Sequence, residues 1–235
     1  VQGIADDGGL FVPASIPAYF PADLAKLDYR SLAKAIFALY LTDFTAEEIA
    51  QIVDEAYSAA SFPNGTVGTV SLDNTEILEL WHGPTSAFKD MALQVLPRLL
   101  VKSLAKTGGN KEIIILVATS GDTGTAALEG FRDVPHTQIT VFYPKEGVSA
   151  IQELQMNTTA SNNTCVIGVK GNFDDCQNGV KLIFGDKDLA AQMAARGQYF
   201  SSANSINWGR LLPQIVYYFY GYGQLVAKQK INYGE

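Results

Sequence analysis

From residue 113 onward, short apolar runs alternate with amphipathic segments, and this alternation constrains the fold more than any other feature of the chain. Residues 113–118 read Ile-Ile-Ile-Leu-Val-Ala, a continuous apolar run typical of a parallel strand covered on both faces. Further strands are predicted at 139–143, 165–169 and 199–201, and helices near residues 123, 149, 174 and 210. The helix near 149 is predicted to be capped by Ser149 with Gln152. Strict alternation of this kind predicts an α/β fold with a doubly wound, mostly parallel sheet.

The first 75 residues have a different pattern, with apolar positions spaced for helices. In the clearest helix, Thr45 and Glu48 form a capping box, and an apolar stripe follows at helical spacing. Residues 66–71 are predicted to connect this segment to a short strand at 77–81. A helix over 90–106 follows, and Pro97 should kink it because the proline ring removes one backbone donor.

Charge and cysteine content narrow the classes of ligand. The 235-residue chain carries a net charge of −7, which argues against a nucleic-acid or anionic-membrane partner because both bind through basic faces. Two cysteines and two histidines are too few for a disulfide framework or a metal cluster, so reduced thiols of a cytosolic protein are expected. No apolar run has the length of a membrane span. The chain begins with Val1, so residues ahead of it are expected.

A lysine stands in an unusual place, in the stretch HGPTSAFKD that runs from His82 to Asp90. Lys89 occupies the turn where a predicted strand becomes a helix, which is where α/β proteins place their ligands. As a nucleophile it must be partly unprotonated, which desolvation by Phe88 and Met91 would promote. The alternative is a lysine that lies along apolar surface with its charge in water, and His82 is by the same measure an ordinary turn histidine.

Small and hydroxyl-bearing residues leave the 113–118 strand in the stretch ATSGDTGTAALEGF, residues 118–131. Backbone N–H groups and a helix dipole at such a turn form an anion cradle, although the lysine of a nucleotide-binding P-loop is missing. Since Asp122 adds a negative charge, a carboxylate ligand is favoured over a phosphate. An ordinary βα turn capped by Ser120 or Asp122 is the alternative.

A third polar stretch, SSANSINWGR, covers residues 201–210. An arginine such as Arg210 can hold a phosphate through two parallel hydrogen bonds, and Asn204 and Ser205 add neutral donors. Helix capping by Asn204 or Asn207 is the alternative. The three stretches together offer an amine nucleophile, a carboxylate cradle and a phosphate clamp.

These motifs closely resemble threonine synthase of the bacterial and fungal type. The matching stretches are DGGLFVP (residues 7–13), HGPTSAFKD, TSGDTG (119–124) and SANSIN..R (202–210), in the family's order and across the whole chain. The resemblance implies the tryptophan synthase β-like, fold type II architecture of pyridoxal-phosphate enzymes, with a helical N-terminal segment. It implies four ranges: that segment at 1–75, the large cofactor domain at 76–112 and 201–235, and a smaller α/β domain at 113–200.

The resemblance also implies a role for each candidate residue. Lys89 would carry pyridoxal 5'-phosphate as a Schiff base. The carboxylate of the substrate would lie against Ser120, Gly121, Asp122 and Thr123, and its phosphate against Asn204, Ser205 and Arg210. The implied reaction converts O-phospho-L-homoserine and water into L-threonine and phosphate, by γ-elimination of phosphate and β-addition of water, in the cytoplasm.

Two other functions share part of this pattern. Another fold type II lyase, such as a dehydratase or phospholyase, would share the lysine turn without needing the phosphate clamp. A non-catalytic, threonine synthase-like binding module would leave Lys89 unmodified. Family chains continue past Glu235 into a glycine-rich loop that grips the cofactor phosphate, so the chain is expected to be about the first half of the enzyme and inactive alone.

Overall fold

A computed structural model of the chain describes residues 5, 8–19, 21–107, 111–159 and 161–234. The described residues divide into two compact units. One contains those described in 12–95 and 211–235 and is here called the helical unit; the other contains those described in 1–11 and 96–210 and is here called the sheet unit. Asp7, the first residue of the DGGLFVP motif, lies outside the described residues.

Two capped helices begin the helical unit. A single 3-10 turn at Leu24–Lys26 precedes α1 (Tyr29–Tyr40), and α2 (Ala46–Ala56) follows. The predicted capping box of α2 is confirmed, because Thr45 and Glu48 each accept from the other's backbone N–H. Six large apolar side chains of the two helices are at most 3% exposed, and each such burial contributes roughly 1.5–3 kcal/mol: Leu32, Ile36, Phe37, Ile49, Ile52 and Val53.

A β-hairpin follows where the sequence predicted a connection. Strands β1 (Gly68–Leu72) and β2 (Thr75–Glu79) pair antiparallel, and Leu72 opposes Thr75 across a tight turn in which Asp73 has φ +50°. The prediction that residues 66–71 form a plain connection is therefore wrong, and the strand predicted at 77–81 is the second arm of this hairpin. Both arms are exposed or half-buried, so they lack the apolar alternation that marks a core strand.

The helix predicted over 90–106 is two helices. A four-residue turn, α3 (Asp90–Leu93), ends before α4 (Leu96–Thr107) begins. Pro97 is the second residue of α4, a position where its missing N–H costs little because the first helical turn has no acceptor for it. Instead of one kinked helix, the chain therefore has two separate helices, and the helix after Lys89 is only one turn long.

A four-stranded parallel sheet organises the sheet unit. The chain order is β3 (Glu112–Ala118), α5 (Asp122–Phe131), β4 (Thr137–Pro144), α6 (Ala150–Thr158), β5 (Thr164–Val169), α7 (Phe173–Gly185), α8 (Lys187–Ala195) and β6 (Gln198–Ser201). The strands lie in the order β5-β4-β3-β6, and every neighbouring pair is parallel. Helix α8 was not predicted from the sequence, and none of its residues is buried.

Helices cover both faces of this sheet, as the continuous apolar run of β3 predicted. Leu116 and Ala118 form a buried cluster with Cys176 and Val180 of α7. On the opposite face, α5 lies so close that a Cβ on Gly124 would be 2.8 Å from Cγ1 of Val141. Ile113, Ile115 and Val117 are fully buried, and the doubly wound arrangement is confirmed.

One side chain ties together the loops at the amino ends of β4 and β5. Asn163, just before β5, donates through Nδ2 to the carbonyls of Phe131, Val134 and Thr137 at 2.8, 3.4 and 3.2 Å. Its Oδ1 accepts from the backbone N–H of Asp133 at 3.0 Å. The α5–β4 connection is therefore held at the end of the sheet where the strands begin.

The last helix, α9 (Trp208–Ala227), ends beside the hairpin of the helical unit. The Glu76 carboxylate accepts from Lys228 Nζ at 2.8 Å and pairs with Lys230 Nζ at 3.3 Å. The hydrogen bond from Lys228 is the main cause that lowers the pKa of Glu76 to about 2. Among the described helices, none is both long and apolar enough to cross a membrane.

Candidate active site

Two of the three predicted polar stretches leave the sheet where its strand order reverses. From β3 the chain continues to β4 and β5 on one side, while β6 joins β3 on the other. The segment after β3 begins at Thr119 and the segment after β6 at Ser202. In open α/β sheets, ligands bind outside the carboxyl ends of strands at such a point, so the topology selects these two segments.

The segment after β3 is held by a buried threonine that the sequence analysis did not select. Thr119 Oγ1 accepts from the backbone N–H groups of Gly121 and Gly124, both at 2.9 Å. Two donors of the predicted anion cradle are therefore already used. The hydrogen bonds found among the described residues do not use the backbone N–H groups of Ser120 and Thr123, so these two groups are candidate donors for an anion.

Gln152 packs against the same segment from the start of α6. Its Nε2 donates to Asp122 Oδ1 at 2.6 Å, while its Oε1 accepts from the N–H of Ser149 in the predicted capping box. Gly121 has φ +139°, and a Cβ there would be 2.4 Å from the Gln152 carboxamide carbon. Gln152 thus fixes the Asp122 carboxylate. The sequence analysis did not predict this role, because the two residues are 30 positions apart in the chain.

The segment after β6 is bonded to the end of β3. Asn204 Nδ2 donates to the carbonyl of Ala118 at 3.1 Å, and Ser202 Oγ donates to the carbonyl of Leu116 at 3.2 Å. Ala118 is the last residue before the Thr119 segment. Asn204 therefore joins the predicted phosphate clamp to the predicted carboxylate cradle within one unit.

Arg210 and Ser205 differ in their surroundings. Arg210 is 3% exposed, and its Nη1 donates to the carbonyl of Ala203 at 2.9 Å, so the guanidinium helps to shape the segment that carries Asn204. Ser205 is exposed. The alternative of helix capping holds for Asn207, whose Oδ1 accepts from the N–H of Gly209 at 2.9 Å.

The lysine turn belongs to the helical unit. Lys89 is partly exposed, and its Nζ lies 4.5 Å from the centroid of the Phe88 ring. Met91 is fully buried, whereas Phe88 is 42% exposed, so the two expected neighbours shield the lysine unequally. His82 Nε2 lies 3.0 Å from Glu79 Oε2, as suits an ordinary turn histidine.

Two buried side chains missed by the sequence analysis hold this turn. The fully buried carboxylate of Asp90 accepts from Thr85 through both of its oxygens. Tyr57 Oη donates to the carbonyl of Met91 at 2.8 Å, and burial raises the pKa of this phenol. The backbone on both sides of Lys89 is thus fixed by hydrogen bonds to two buried side chains.

Comparison with known proteins agrees with the motifs and with the fold. Residues 1–57 match the family model described as the threonine synthase N terminus. The chain is 40% identical to threonine synthase of Saccharomyces cerevisiae over 95% of its own length and 46% of that protein. The crystal structure of PLP-bound threonine synthase from Brucella melitensis superposes with a TM-score of 0.80, at 38% identity over 97% of this chain and 48% of the other. The resemblance to threonine synthase is confirmed.

The predicted fold class is confirmed by the same comparison, since threonine synthases are fold type II enzymes and the sheet is parallel and doubly wound. The chain spans about half the length of the curated threonine synthases it matches. It is also 37% identical to human threonine synthase-like 1, of which it covers 33%. Lys89, the Ser120–Thr123 segment and the Asn204, Ser205 and Arg210 group stay predictions as site residues.

Proposed function

We propose that the protein containing this chain is a threonine synthase, a pyridoxal-phosphate-dependent lyase that converts O-phospho-L-homoserine and water into L-threonine and phosphate. One observation carries the proposal. The segments predicted to bind the two anionic ends of this substrate leave β3 and β6 at the strand reversal, and Asn204 bonds one to the other through Ala118. A substrate with a carboxylate at one end and a phosphate at the other matches two adjacent groups of donors.

The carboxylate of the substrate would lie at the start of α5. The N–H groups of Ser120 and Thr123 and the dipole of this ten-residue helix favour an anion there. The Asp122 carboxylate is held by Gln152, and the substrate's ammonium group would lie against this carboxylate. Gly121 contributes by having no side chain, since a Cβ would collide with Gln152.

The phosphate would lie against Asn204, Ser205 and Arg210. In a chain of net charge −7, an arginine close to the phosphate must outweigh the repulsion of the other charges. It does so because charge-assisted hydrogen bonds act at contact distance, whereas the global field is screened beyond about 8 Å in physiological salt. Asn204 would orient the phosphate more than it strengthens binding.

Lys89 fits the attachment of pyridoxal 5'-phosphate. This residue is partly exposed, on a turn fixed by hydrogen bonds of the buried Asp90 and Tyr57 side chains. An amine that must meet an aldehyde in one orientation requires such a fixed turn. When bound, this cofactor supplies an electron sink for charge developing at the substrate's α-carbon. Lys89 Nζ would hold the cofactor and move the proton at that carbon.

The remaining proposals concern the complete protein. We propose a cytoplasmic enzyme whose partner is a small molecule rather than nucleic acid or membrane, with residues 113–200 as its smaller domain within a large domain formed by 76–112 and 201–235. Because the chain spans about half of its relatives, we also propose that residues outside it complete the cofactor site.

The test is a visible spectrum of the intact protein with and without O-phospho-L-homoserine, together with assays of released phosphate and L-threonine. A cofactor band that responds to substrate, with equal release of the two products, is expected, and Lys89→Ala should lose the band. Release of a keto acid in place of threonine would identify a dehydratase or phospholyase. No cofactor band and no phosphate release would indicate the second candidate, a non-catalytic, threonine synthase-like binding module.

A further inference from the structure

Asp90, the residue after Lys89, is an ionisable side chain with no exposed surface. A buried carboxylate costs several kcal/mol unless hydrogen bonds replace its water. Thr85 donates to both of its oxygens: the Thr85 N–H to Oδ2 at 2.8 Å, and Thr85 Oγ1 to Oδ1 at 2.7 Å. Such a pair of charge-assisted bonds is stronger than neutral ones and fixes direction as well as distance.

These two bonds close residues 85–90 into a ring, and Lys89 is a member of it. Within the ring, Ser86 has φ +56°, and Asp90 N–H donates to the carbonyl of Ala87 at 3.0 Å. Gly83 lies against the ring from outside: a Cβ at this position would be 2.6 Å from both Cβ and Oδ2 of Asp90. The absence of a side chain at Gly83 therefore leaves the space that the Asp90 side chain occupies.

We propose that Asp90 and Thr85 are positioning residues that set the direction of the Lys89 amine. The inference rests on the proposed function, since it concerns the amine to which the cofactor would attach. Neither side chain needs to touch the cofactor. Their bonds restrict the backbone from which Lys89 projects, and a fixed amine reacts faster with an aldehyde held in one place.

The decisive variant is Thr85→Val, which keeps the shape of the side chain and removes the hydroxyl that Asp90 Oδ1 accepts from. Thr85→Ser keeps the hydroxyl and should restore wild-type behaviour. Thr107→Val removes a threonine hydroxyl that donates to the Ser103 carbonyl at 3.1 Å, far along the chain from the lysine turn, and is the matched control. If Thr85→Val does not fold, Asp90→Asn carries the same test, because its amide replaces one acceptor oxygen by a donor.

Two measurements on the intact, cofactor-free protein separate position from stability. The first is reductive methylation by formaldehyde, carried out well below the melting temperature of every variant. Peptide mass spectrometry measures the rate of methylation at Lys89 relative to the rate at the exposed Lys26. Thr85→Val should raise this ratio about fivefold because the released lysine loses its cation–π contact with the Phe88 ring. In Thr85→Ser and Thr107→Val the ratio should stay within about twofold of wild type.

The second measurement is borohydride fixation of pyridoxal phosphate, quantified at the same two lysines. Attachment at Lys89 in Thr85→Val should fall about tenfold, as expected for one lost hydrogen bond to a charged group. An unchanged methylation ratio in a folded Thr85→Val protein overturns the inference, whatever the cofactor does. If the ratio shifts but wild type fixes no cofactor at Lys89, the proposed function fails and the positioning role stands.

Discussion

Removing the hydroxyl of Tyr57 should destabilise the helical unit while leaving its core packed. Tyr57 is 1% exposed, and its hydroxyl donates to the Met91 carbonyl at 2.8 Å. Tyr57→Phe deprives that buried carbonyl of this partner, which costs about 1–3 kcal/mol. The ring remains, so the aromatic contacts to Tyr29 and Phe62, at 5.1 and 5.8 Å between centroids, are kept. We expect the free energy of unfolding to fall by about 2 kcal/mol.

The assay is urea unfolding followed by circular dichroism and by tyrosine and tryptophan fluorescence. Tyr218→Phe is the matched control, because Tyr218 is 70% exposed and surface substitutions usually stay within about 0.5 kcal/mol. The slope of the free energy against urea should not change, since the surface exposed on unfolding is the same. Equal midpoints for wild type and Tyr57→Phe would refute the reasoning and show that the Met91 carbonyl is satisfied without the tyrosine.

Three further predictions concern charge, substrate and chain length. The lowered pKa of Glu76, about 2 against 4.5 unfolded, contributes stability that is present above pH 4.5 and lost as the pH falls towards 2; Glu76→Gln should flatten this part of the acid unfolding curve, and an unaltered curve would contradict it. In the intact protein, Arg210→Lys should raise KM for O-phospho-L-homoserine, and Arg210→Ala should lower kcat/KM by the equivalent of about 2–5 kcal/mol. Unchanged kinetics would mean that another residue binds the phosphate, and the exposed Lys145 is the next candidate. The isolated 235-residue chain should release no phosphate from this substrate, and turnover near the rate of the intact protein would falsify the proposal that residues outside the chain complete the site.

The features predicted correctly from the sequence are those whose cause lies within a few residues. The capping boxes of Thr45 with Glu48 and Ser149 with Gln152 are local hydrogen-bond exchanges, and the apolar run of β3 marks a strand buried on both faces. The hairpin at 68–79 was missed because neither of its faces is buried. Helix α8 was missed for the same reason, since an element without a buried face leaves no hydrophobic period to find.

The candidate site also contains features with local causes, which were predicted, and features with long-range causes, which were not. Its three polar stretches were found because each is continuous in sequence, but the side chains that shape the site act across the fold. Gln152 reaches Asp122 over 30 residues, and Asn204 reaches the Ala118 carbonyl over 86. Tyr57 reaches Met91 over 34. No spacing rule relates such pairs, because their contact follows from strand order and helix packing.

Asn163 stabilises the sheet unit at the end of the sheet opposite to the candidate site, which affects how the unit tolerates substitutions. Its bonds lie where β4 and β5 begin, whereas Thr119 and Asn204 lie where β3 and β6 end. A strand of seven residues, the length of β3, spans about 23 Å, well beyond the roughly 7–10 Å within which substitutions influence each other's energies. Substitutions that retune ligand choice at one end should therefore add to, rather than interfere with, substitutions that strengthen the fold at the other. A lineage or an engineer can alter the two properties in separate steps.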